Sequence, residues 1–557
     1  MGRTPVRAAL TDRASTAAAG AVATASAGGR GRAAARAAVL GPAGVAVTLG
    51  LWGLDRGSMW RDEGATFQVA RRSVPEILRL LGSVDAVHGL YYLLMHAVLA
   101  VRADEVTLRL PSVAATACTA ALVGALGSRL ARPRVGLWAG LLYAVNPFVG
   151  RYAQEGRSYA LVAAGAALAT LLLVRAAERG SAARWCGYGA VVMVSALLHE
   201  FAVLLLPAHA LTLFASRVPW RTWRGWGCAA LAACAAVAPL AVFSRGQSGQ
   251  VSWIRTPGSA EAKALVLAFA GPSDAVLAGT LALAAVALLA PLPRTGPPAA
   301  PRLPLHAVAL PLALVPPVLL YAASQSTPVF LDRYLLFGLA GVPLLAAAGA
   351  ERLLGFLPRR GVAVTVGVAA IAASFLWQLP VQQRERLPAS RGDEPARVAA
   401  VVGRLARPGD AVLFLPHHER RISLMYPRDF TGLRDLTLGR GAAASGTLYG
   451  EEADSAELRR RLARLPPGTR VWVVWDTTTV GGRWFRAQRA EYAKSRVLGE
   501  LCREEGATVY VRGGAVTRYS CRPGQAGGIS GVPAAPPASP PPASLHPTTS
   551  PPPPSRR

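Results

Sequence analysis

Two neighbouring carboxylates, Asp62 and Glu63, stand in the stretch Trp60-Arg61-Asp62-Glu63 just after the first apolar run, and His88 opens a second stretch, His88-Gly89-Leu90-Tyr91-Tyr92. Arg109, Glu155, Arg157, the pair His199-Glu200, and the triplet Asp332-Arg333-Tyr334 flank later apolar runs. A lone acid at the end of an apolar helix is usually a solvated charge. Acids, histidines, aromatics and arginines gathered on one side of a membrane are a candidate site. Arginine or histidine can hold an anionic phosphate at headgroup depth, and a carboxylate can take the proton of an attacking hydroxyl. Together these residue types suit transfer of a group from a lipid-linked phosphate.

The elements that must position them are membrane helices. The chain has 557 residues, 52% hydrophobic and only 16% charged, with positive mean hydropathy; that is too apolar for an ordinary soluble protein. Apolar runs of about 20 residues recur along it, as a polytopic α-helical membrane protein requires. A net charge of +29 would suggest nucleic acid in a soluble chain. Here the arginines cluster in short connections between apolar runs, as cytoplasmic loops do, so no nucleic-acid partner is expected. Lys263 and Lys494 are the only lysines.

Residues 1–36, rich in Arg, Ala, Gly and Ser, read as a disordered basic cytoplasmic tail, followed by an uncleaved signal anchor over Ala37–Leu54. This places Asp62 outside. The stretch Leu90–Val101 is too short to span and suits a helix lying along the surface within an outer loop, 55–107; counting it as a span would put the basic loop Arg129, Arg132, Arg134 outside. Predicted spans then alternate through Leu108–Leu130, Val135–Val149, Tyr159–Val174, Trp185–Leu198, Phe201–Ala215, Trp226–Phe243, a run Ala264–Leu289 broken at Gly271-Pro272, Leu305–Tyr321, Leu335–Ala350 and Val362–Leu379. That gives about eleven spans with the two ends on opposite sides: a multi-pass cell-membrane protein with a cytoplasmic N-terminus.

The membrane domain is expected over 37–382. Beyond it, 383–523 has soluble composition, with a helix over Glu394–Leu405, buried strands at Ala411–Leu415 and Val471–Trp475, a helix over Trp484–Cys502 and a strand at Thr508–Arg512. A small extracytoplasmic α/β domain is expected, in which Cys502 and Cys521 could pair. Residues 524–557 are a Pro-rich disordered tail.

The motifs resemble the protein O-mannosyltransferase and aminoarabinose transferase group of GT-C glycosyltransferases, family 39 type. Those that carry the likeness are Trp60-Arg61-Asp62-Glu63, His88-Gly-Leu-Tyr-Tyr, Leu108-Arg109-Leu-Pro-Ser, Asn146-Pro147 with Tyr152-Ala-Gln-Glu155-Gly-Arg157-Ser-Tyr159, and Asp332-Arg333-Tyr334. They occur in the family's order over roughly residues 40–380. The resemblance implies a GT-C-like membrane enzyme that moves a sugar, mannose being one candidate, from a polyprenyl-phosphate donor to an acceptor hydroxyl, with inversion. It makes Asp62 the general base, with Glu63 orienting the acceptor or Asp62, and turns His88 and Arg109 toward the donor phosphate. By their place on the outer face, Glu155 is expected toward the acceptor, Arg157 and Arg333 toward the phosphate, and Tyr91, Tyr159, His199 and Tyr334 against the substrate. His88 departs from the family's pattern in preceding Gly89 rather than proline.

By residue type alone, Arg109 is equally a lipid-headgroup anchor, and Glu155 with Arg157 equally a structural ion pair. No sequence spacing demands a metal, although His88, His199 and Glu155 could gather around a divalent cation. A protein, polysaccharide or lipid acceptor fits the reading, with membrane lipids as surroundings. The rival is a transporter or flippase of lipid-linked sugars; such folds show repeated halves and mid-membrane polar groups, and this sequence has no evident repeat and keeps its titratable groups at one surface.

Overall fold

The computed structural model describes residues 31–290 and 303–521. The basic tail up to residue 30, most of the Pro-rich loop holding Arg294 and Arg302, and the expected C-terminal tail lie outside the described residues. The chain divides into two compact units: residues through Glu394 together with Arg440–Glu451, and Pro395–Gly439 together with the chain from Glu452.

The first helix of unit one, α1, runs Gly31–Leu51. It starts six residues before the expected start of the anchor at Ala37, because arginine and alanine extend a helix readily. Three short helices follow in the 55–107 segment: α2 (Arg61–Ala70), α3 (Val74–Leu81) and α4 (Gly89–Leu99). They enclose a small core of Val69, Ile77, Leu80 and Tyr92. At the head of α3 the Glu76 carboxylate accepts from the Ser73 amide at 2.9 Å, half of a capping box that fixes the turn from α2.

The remaining helices of this unit are α5 (Glu105–Leu130), α6 (Pro133–Val145), α7 (Pro147–Ala153), α8 (Tyr159–Glu178), α9 (Ala182–Leu198), α10 (Leu205–Ala215), α11 (Trp220–Arg245), α12 (Ser259–Ala270), α13 (Asp274–Leu289), α14 (Leu305–Ala323), α15 (Gly341–Leu354), α16 (Arg360–Trp377) and α17 (Leu379–Glu385). Among the described residues, five helices are long and apolar enough to cross a membrane (α1, α5, α8, α11 and α14), and bent pairs raise the number to eight. One bent pair, α12 with α13, turns by 73° at the Gly271-Pro272 break read from the sequence. The other expected spans fall on the shorter apolar helices α6, α9 and α10.

Small residues let α5 approach α1 and α6 closely. A Cβ on Gly124 would lie 2.0 Å from the Ala38 carbonyl oxygen, and one on Gly136 would lie 2.2 Å from the Gly124 carbonyl oxygen. Several polar groups inside the bundle pair with one another. His209 bonds the Thr170 hydroxyl at 3.0 Å and the Tyr188 hydroxyl at 2.9 Å. Glu351, at the end of α15, pairs with Arg134 at 2.6 Å and Arg132 at 3.4 Å, so the basic loop before α6 is anchored as well as charged.

Residues 383–394 belong with the membrane helices rather than with the second domain, which begins twelve residues later than the expected boundary. Arg386 explains this: its guanidinium donates to the carbonyls of Leu49 at 2.8 Å and Trp52 at 2.9 Å, filling orphan acceptors at the end of α1.

Unit two is an α/β fold. Its sheet runs Arg434–Asp435, Ala411–Leu415, Arg470–Trp475, Gly514–Cys521, Cys502–Glu504, with Val509–Val511 also paired to Gly514–Cys521. The first three strands are parallel, in register Ala411 with Val471 through Leu415 with Trp475, and the rest antiparallel. Leu413, Leu415 and Val473 pack into one core with Leu458 and Leu498, whereas Val412, Phe414 and Val474 pack into another with Val398 and Val402. Burial of both faces is why these strands read as continuous apolar runs. The long strand Gly514–Cys521 was not anticipated, and the expected helix over Trp484–Cys502 is two helices, Arg483–Ala487 and Arg489–Leu501. Cys502 and Cys521 form a disulfide.

The close approach of α5 to α1 at Gly124 yields a test. Gly124→Val is expected to destabilise by about 1–3 kcal/mol through overpacking, read as a lower thermal midpoint in detergent. Gly187→Val, where a Cβ meets nothing within 4 Å, is expected to leave the midpoint near wild type.

Candidate functional site

Glu63 is fully buried in the first turn of α2. Its carboxylate accepts from Arg109 at 2.9 Å on both oxygens and from the Gly156 amide at 2.8 Å. Arg109, on α5, also donates to the carbonyls of Leu54 and Gly57 at 2.9 Å. One turn further along the same helix face, the Ser112 hydroxyl donates to the Glu155 carbonyl at 2.6 Å. Leu108 fills the space beside Gly156, where a Cβ would come within 2.5 Å of the leucine Cγ. The spacing of Leu108, Arg109 and Ser112 thus clamps the turn Glu155-Gly156-Arg157 against the head of α2.

That clamp delivers the neighbouring groups. Arg157, 6% exposed, reaches the Thr66 hydroxyl at 3.3 Å and His88 Nε2 at 2.7 Å. An arginine can only donate, so His88 Nε2 accepts and its proton sits on Nδ1. Burial, together with the Arg157 charge, pushes the His88 pKa well below the usual histidine range and keeps the ring neutral. Asp62, one residue before Glu63, is part-exposed and lies 3.6 Å from the Arg333 guanidinium. Arg333 lies over the Trp60 ring at 5.7 Å and the Tyr334 ring at 5.5 Å. Tyr334 packs on His199 at 4.6 Å, and Tyr159 stands 5.7 Å from His199 and 6.1 Å from Tyr334.

Buried polar atoms without a partner concentrate here: His88 Nδ1, Tyr91 Oη, Arg157 Nε, His199 Nδ1, Arg333 Nε and one Glu155 oxygen. Each such atom costs about 1–3 kcal/mol when nothing fills it, so their concentration marks a place for a polar ligand.

Asp62, Arg157, Arg333 and His88 lie together, with the aromatic residues beside them. Glu63 and Arg109 form a buried pair, so Arg109 is not aimed at an incoming phosphate and Glu63 is not aimed at an acceptor. Glu155 does not pair with Arg157; its carboxylate accepts from Arg391 at 2.6 Å. Burial raises the Glu155 pKa despite the Arg391 charge. Arg391 and Thr66 were missed in sequence. Arg391 lies 236 positions from Glu155 in an arginine-rich connection and carried no signal, whereas Thr66 sits one helical turn past Asp62 and could have been marked by that spacing.

His88, His199 and Glu155 do not converge as a metal-ligand trio. Among the described residues the ligand atoms that lie within 4.8 Å of one another are those of His418, Glu419 and Asp476 in unit two, where Arg421 already bonds Glu419 and supplies the positive charge.

Residues 89–243 match the model of the family described as Dolichyl-phosphate-mannose-protein mannosyltransferase. ArnT from Cupriavidus metallidurans, solved bound to undecaprenyl phosphate, is similar in structure over 85% of this chain and 96% of that one, with 12% identity and a TM-score of 0.55. The oligosaccharyltransferase of Archaeoglobus fulgidus, solved with zinc and sulfate, aligns over 86% of this chain and 72% of its own, with 11% identity and a TM-score of 0.47. A sequence comparison with curated proteins finds no match. The expected GT-C membrane fold is therefore the fold observed.

The Glu63–Arg109 pair predicts a pH dependence. Burial is the largest influence and would raise the Glu63 pKa, but the charge and hydrogen bonds of Arg109, the Arg391 charge and the Gly156 amide together outweigh it, and the carboxyl falls below the usual glutamate range. A depressed folded-state pKa gives stability that is complete above the unfolded value, about 4.3, and is lost as pH falls through the folded one. Glu63→Gln is expected to destabilise by about 3–5 kcal/mol at neutral pH by leaving Arg109 uncompensated. The gap in thermal midpoint between variant and wild type should stay constant down to about pH 5 and narrow below it.

Proposed function

We propose that this chain, a GT-C protein of the family 39 type, moves a sugar from a polyprenyl-phosphate donor to an acceptor hydroxyl on the outer face of the membrane. The observation that carries the reading is the set of partnerless buried donors on His88, Tyr91, Arg157, His199 and Arg333 beside the part-exposed Asp62 carboxylate. Glu63 and Glu155 are each paired with an arginine, and Arg157 and Arg333 are the guanidinium groups beside the partnerless atoms, with Asp62, Asp85 and Asp332 as the acids around them. Guanidinium groups so placed suit a phosphate ester.

The donor phosphate sits between Arg157 and Arg333, with the His88 Nδ1 proton as a further donor. Its arrival competes with Asp62 for Arg333 and releases the carboxylate. Asp62 then takes the proton of the acceptor hydroxyl as the oxygen bonds to the anomeric carbon. The bond from that carbon to the phosphate oxygen breaks, and the phosphate leaves with the electron pair. Negative charge grows on the phosphate as the bond breaks, so the arginines bind the transition state more tightly than the ground state. Attack from the side opposite the phosphate inverts the anomeric centre. Tyr159, His199 and Tyr334 form the aromatic wall against which the sugar ring lies. The Glu63–Arg109 pair holds the frame and touches neither substrate.

The purified full chain, given a labelled polyprenyl-phosphate sugar and an acceptor, is expected to release polyprenyl phosphate and label the acceptor. Asp62→Asn should lower kcat by about 10²–10⁴-fold with expression and thermal midpoint unchanged. Arg333→Ala should weaken the donor step as well. Wild-type turnover in Asp62→Asn would remove Asp62 as the base, and movement of labelled lipid across vesicles without any transfer would replace the enzyme by a flippase.

A further inference from the structure

Residues 440–451 belong to the membrane unit although the chain on either side of them belongs to unit two. The Arg440 guanidinium and the Glu451 carboxylate close the base of this excursion with two hydrogen bonds of 2.7 and 2.6 Å. Ala442–Ser445 makes one helical turn, and Gly446, at φ +67°, ends it in the left-handed conformation that glycine adopts at least cost. The chain then returns through Thr447 and Leu448.

Side chains of α2, α3 and the turns that follow them grip this strap through its backbone. Gln68 donates to the Leu448 carbonyl at 2.7 Å and Ser83 to the Gly446 carbonyl at 2.7 Å. Arg72, 7% exposed, donates to the carbonyls of Ala442 and Leu448 at 3.3 Å and to Gln68 at 2.9 Å. The Leu448 side chain packs against the core of Val69, Ile77, Leu80 and Tyr92. The core is small, Leu81, Val84 and Leu93 being its other packed neighbours, and Leu448 is the residue from outside this segment that extends it.

The helices so held are the ones that carry the proposed site. Asp62 and Thr66 lie on α2, whose last turn and C-terminal flank supply Gln68 and Arg72. Tyr92, a member of the core that Leu448 packs against, stands 6.0 Å from His88 and donates to Asp85 at 2.7 Å. We infer that residues 442–448 are a positioning strap for the sugar-transfer site, with Leu448 as its anchor: by completing the α2–α4 core it fixes the distance between Asp62 on α2 and His88 at the head of α4. The inference rests on the transfer reading above. It also makes unit two's chain a requirement for the membrane site, since a chain ending at Glu394 lacks the strap.

The test uses the full chain with Leu448→Asp, which places a charge in the apolar core, Leu448→Met, which keeps the volume, and Ser83→Ala, which removes one grip. Amide hydrogen exchange is read without donor, so it judges the strap even in a chain that transfers no sugar. Leu448→Asp should speed exchange in 61–92 while leaving 159–178 as in wild type. In the transfer assay it should lower kcat by about 10–100-fold, as displacement of a positioned group does, with donor KM changed less, because Arg333 is not held by the strap. Leu448→Met should restore both readouts and Ser83→Ala should give a smaller shift in the same direction. Unchanged exchange in Leu448→Asp would overturn the strap, as would faster exchange with wild-type kcat. If Leu448→Asp fails to fold, Ser83→Ala decides alone: wild-type exchange and kcat there overturn the inference.

Discussion

Everything at the candidate site is referred to one buried ion pair. A carboxylate and a guanidinium taken out of water lose several kcal/mol each in hydration, and they recover it only with good geometry and with their other hydrogen-bonding positions filled. Glu63 and Arg109 meet both conditions: two bonds to each other, one to the Gly156 amide, and the carbonyls of the 54–58 loop around the guanidinium. Such a pair is poor at adding stability beyond an apolar substitute and good at allowing only one arrangement. It ties the loop after α1, the head of α2, the second turn of α5 and the turn before α8 to a single point. Asp62 and Arg157, each adjacent to a tied residue, inherit their positions from it.

The consequence for chemistry is a division of labour among charges that look alike. Glu63 and Glu155 are each neutralised by an arginine, as are Arg109 and Arg391 by an acid, and these four groups build the frame. On the proposed reading, Asp62, Arg157, Arg333 and His88 face the ligand. A neutral His88 is part of this design, because Arg157 occupies its acceptor nitrogen and turns its N–H toward the space where partnerless donors collect. Strain of this kind, a set of buried polar atoms left without partners, is tolerated where a ligand repays it.

Much of this was legible in sequence as residue type and little of it as pairing. The first apolar runs, the break at Gly271-Pro272 and the short helix after His88 follow from hydropathy, proline chemistry and length, all local properties. Asp62, His88, Arg157 and Arg333 stood out because polar groups beside apolar spans are expensive and therefore informative. Which arginine answers which acid is not local: Arg109 meets Glu63 across 46 positions and Arg391 meets Glu155 across 236. Hence Arg109 read as a phosphate ligand and Arg391 did not read at all. The strap carries still less signal, since it is gripped through backbone carbonyls that any sequence possesses. The strand Gly514–Cys521 was hidden for a related reason. Its arginine, serine and threonine spoil the alternation, and its place in the sheet is set by pairing with Arg470–Trp475.

The central claim is that a lipid phosphate docks between Arg157 and Arg333, and a structure of the full chain with undecaprenyl phosphate tests it directly. The account requires phosphate density within hydrogen-bond distance of both guanidinium groups, with Arg333 moved off Asp62 and the Glu63–Arg109 pair unchanged. Phosphate bound instead at Arg132 and Arg134, with Arg333 still on Asp62, would contradict it.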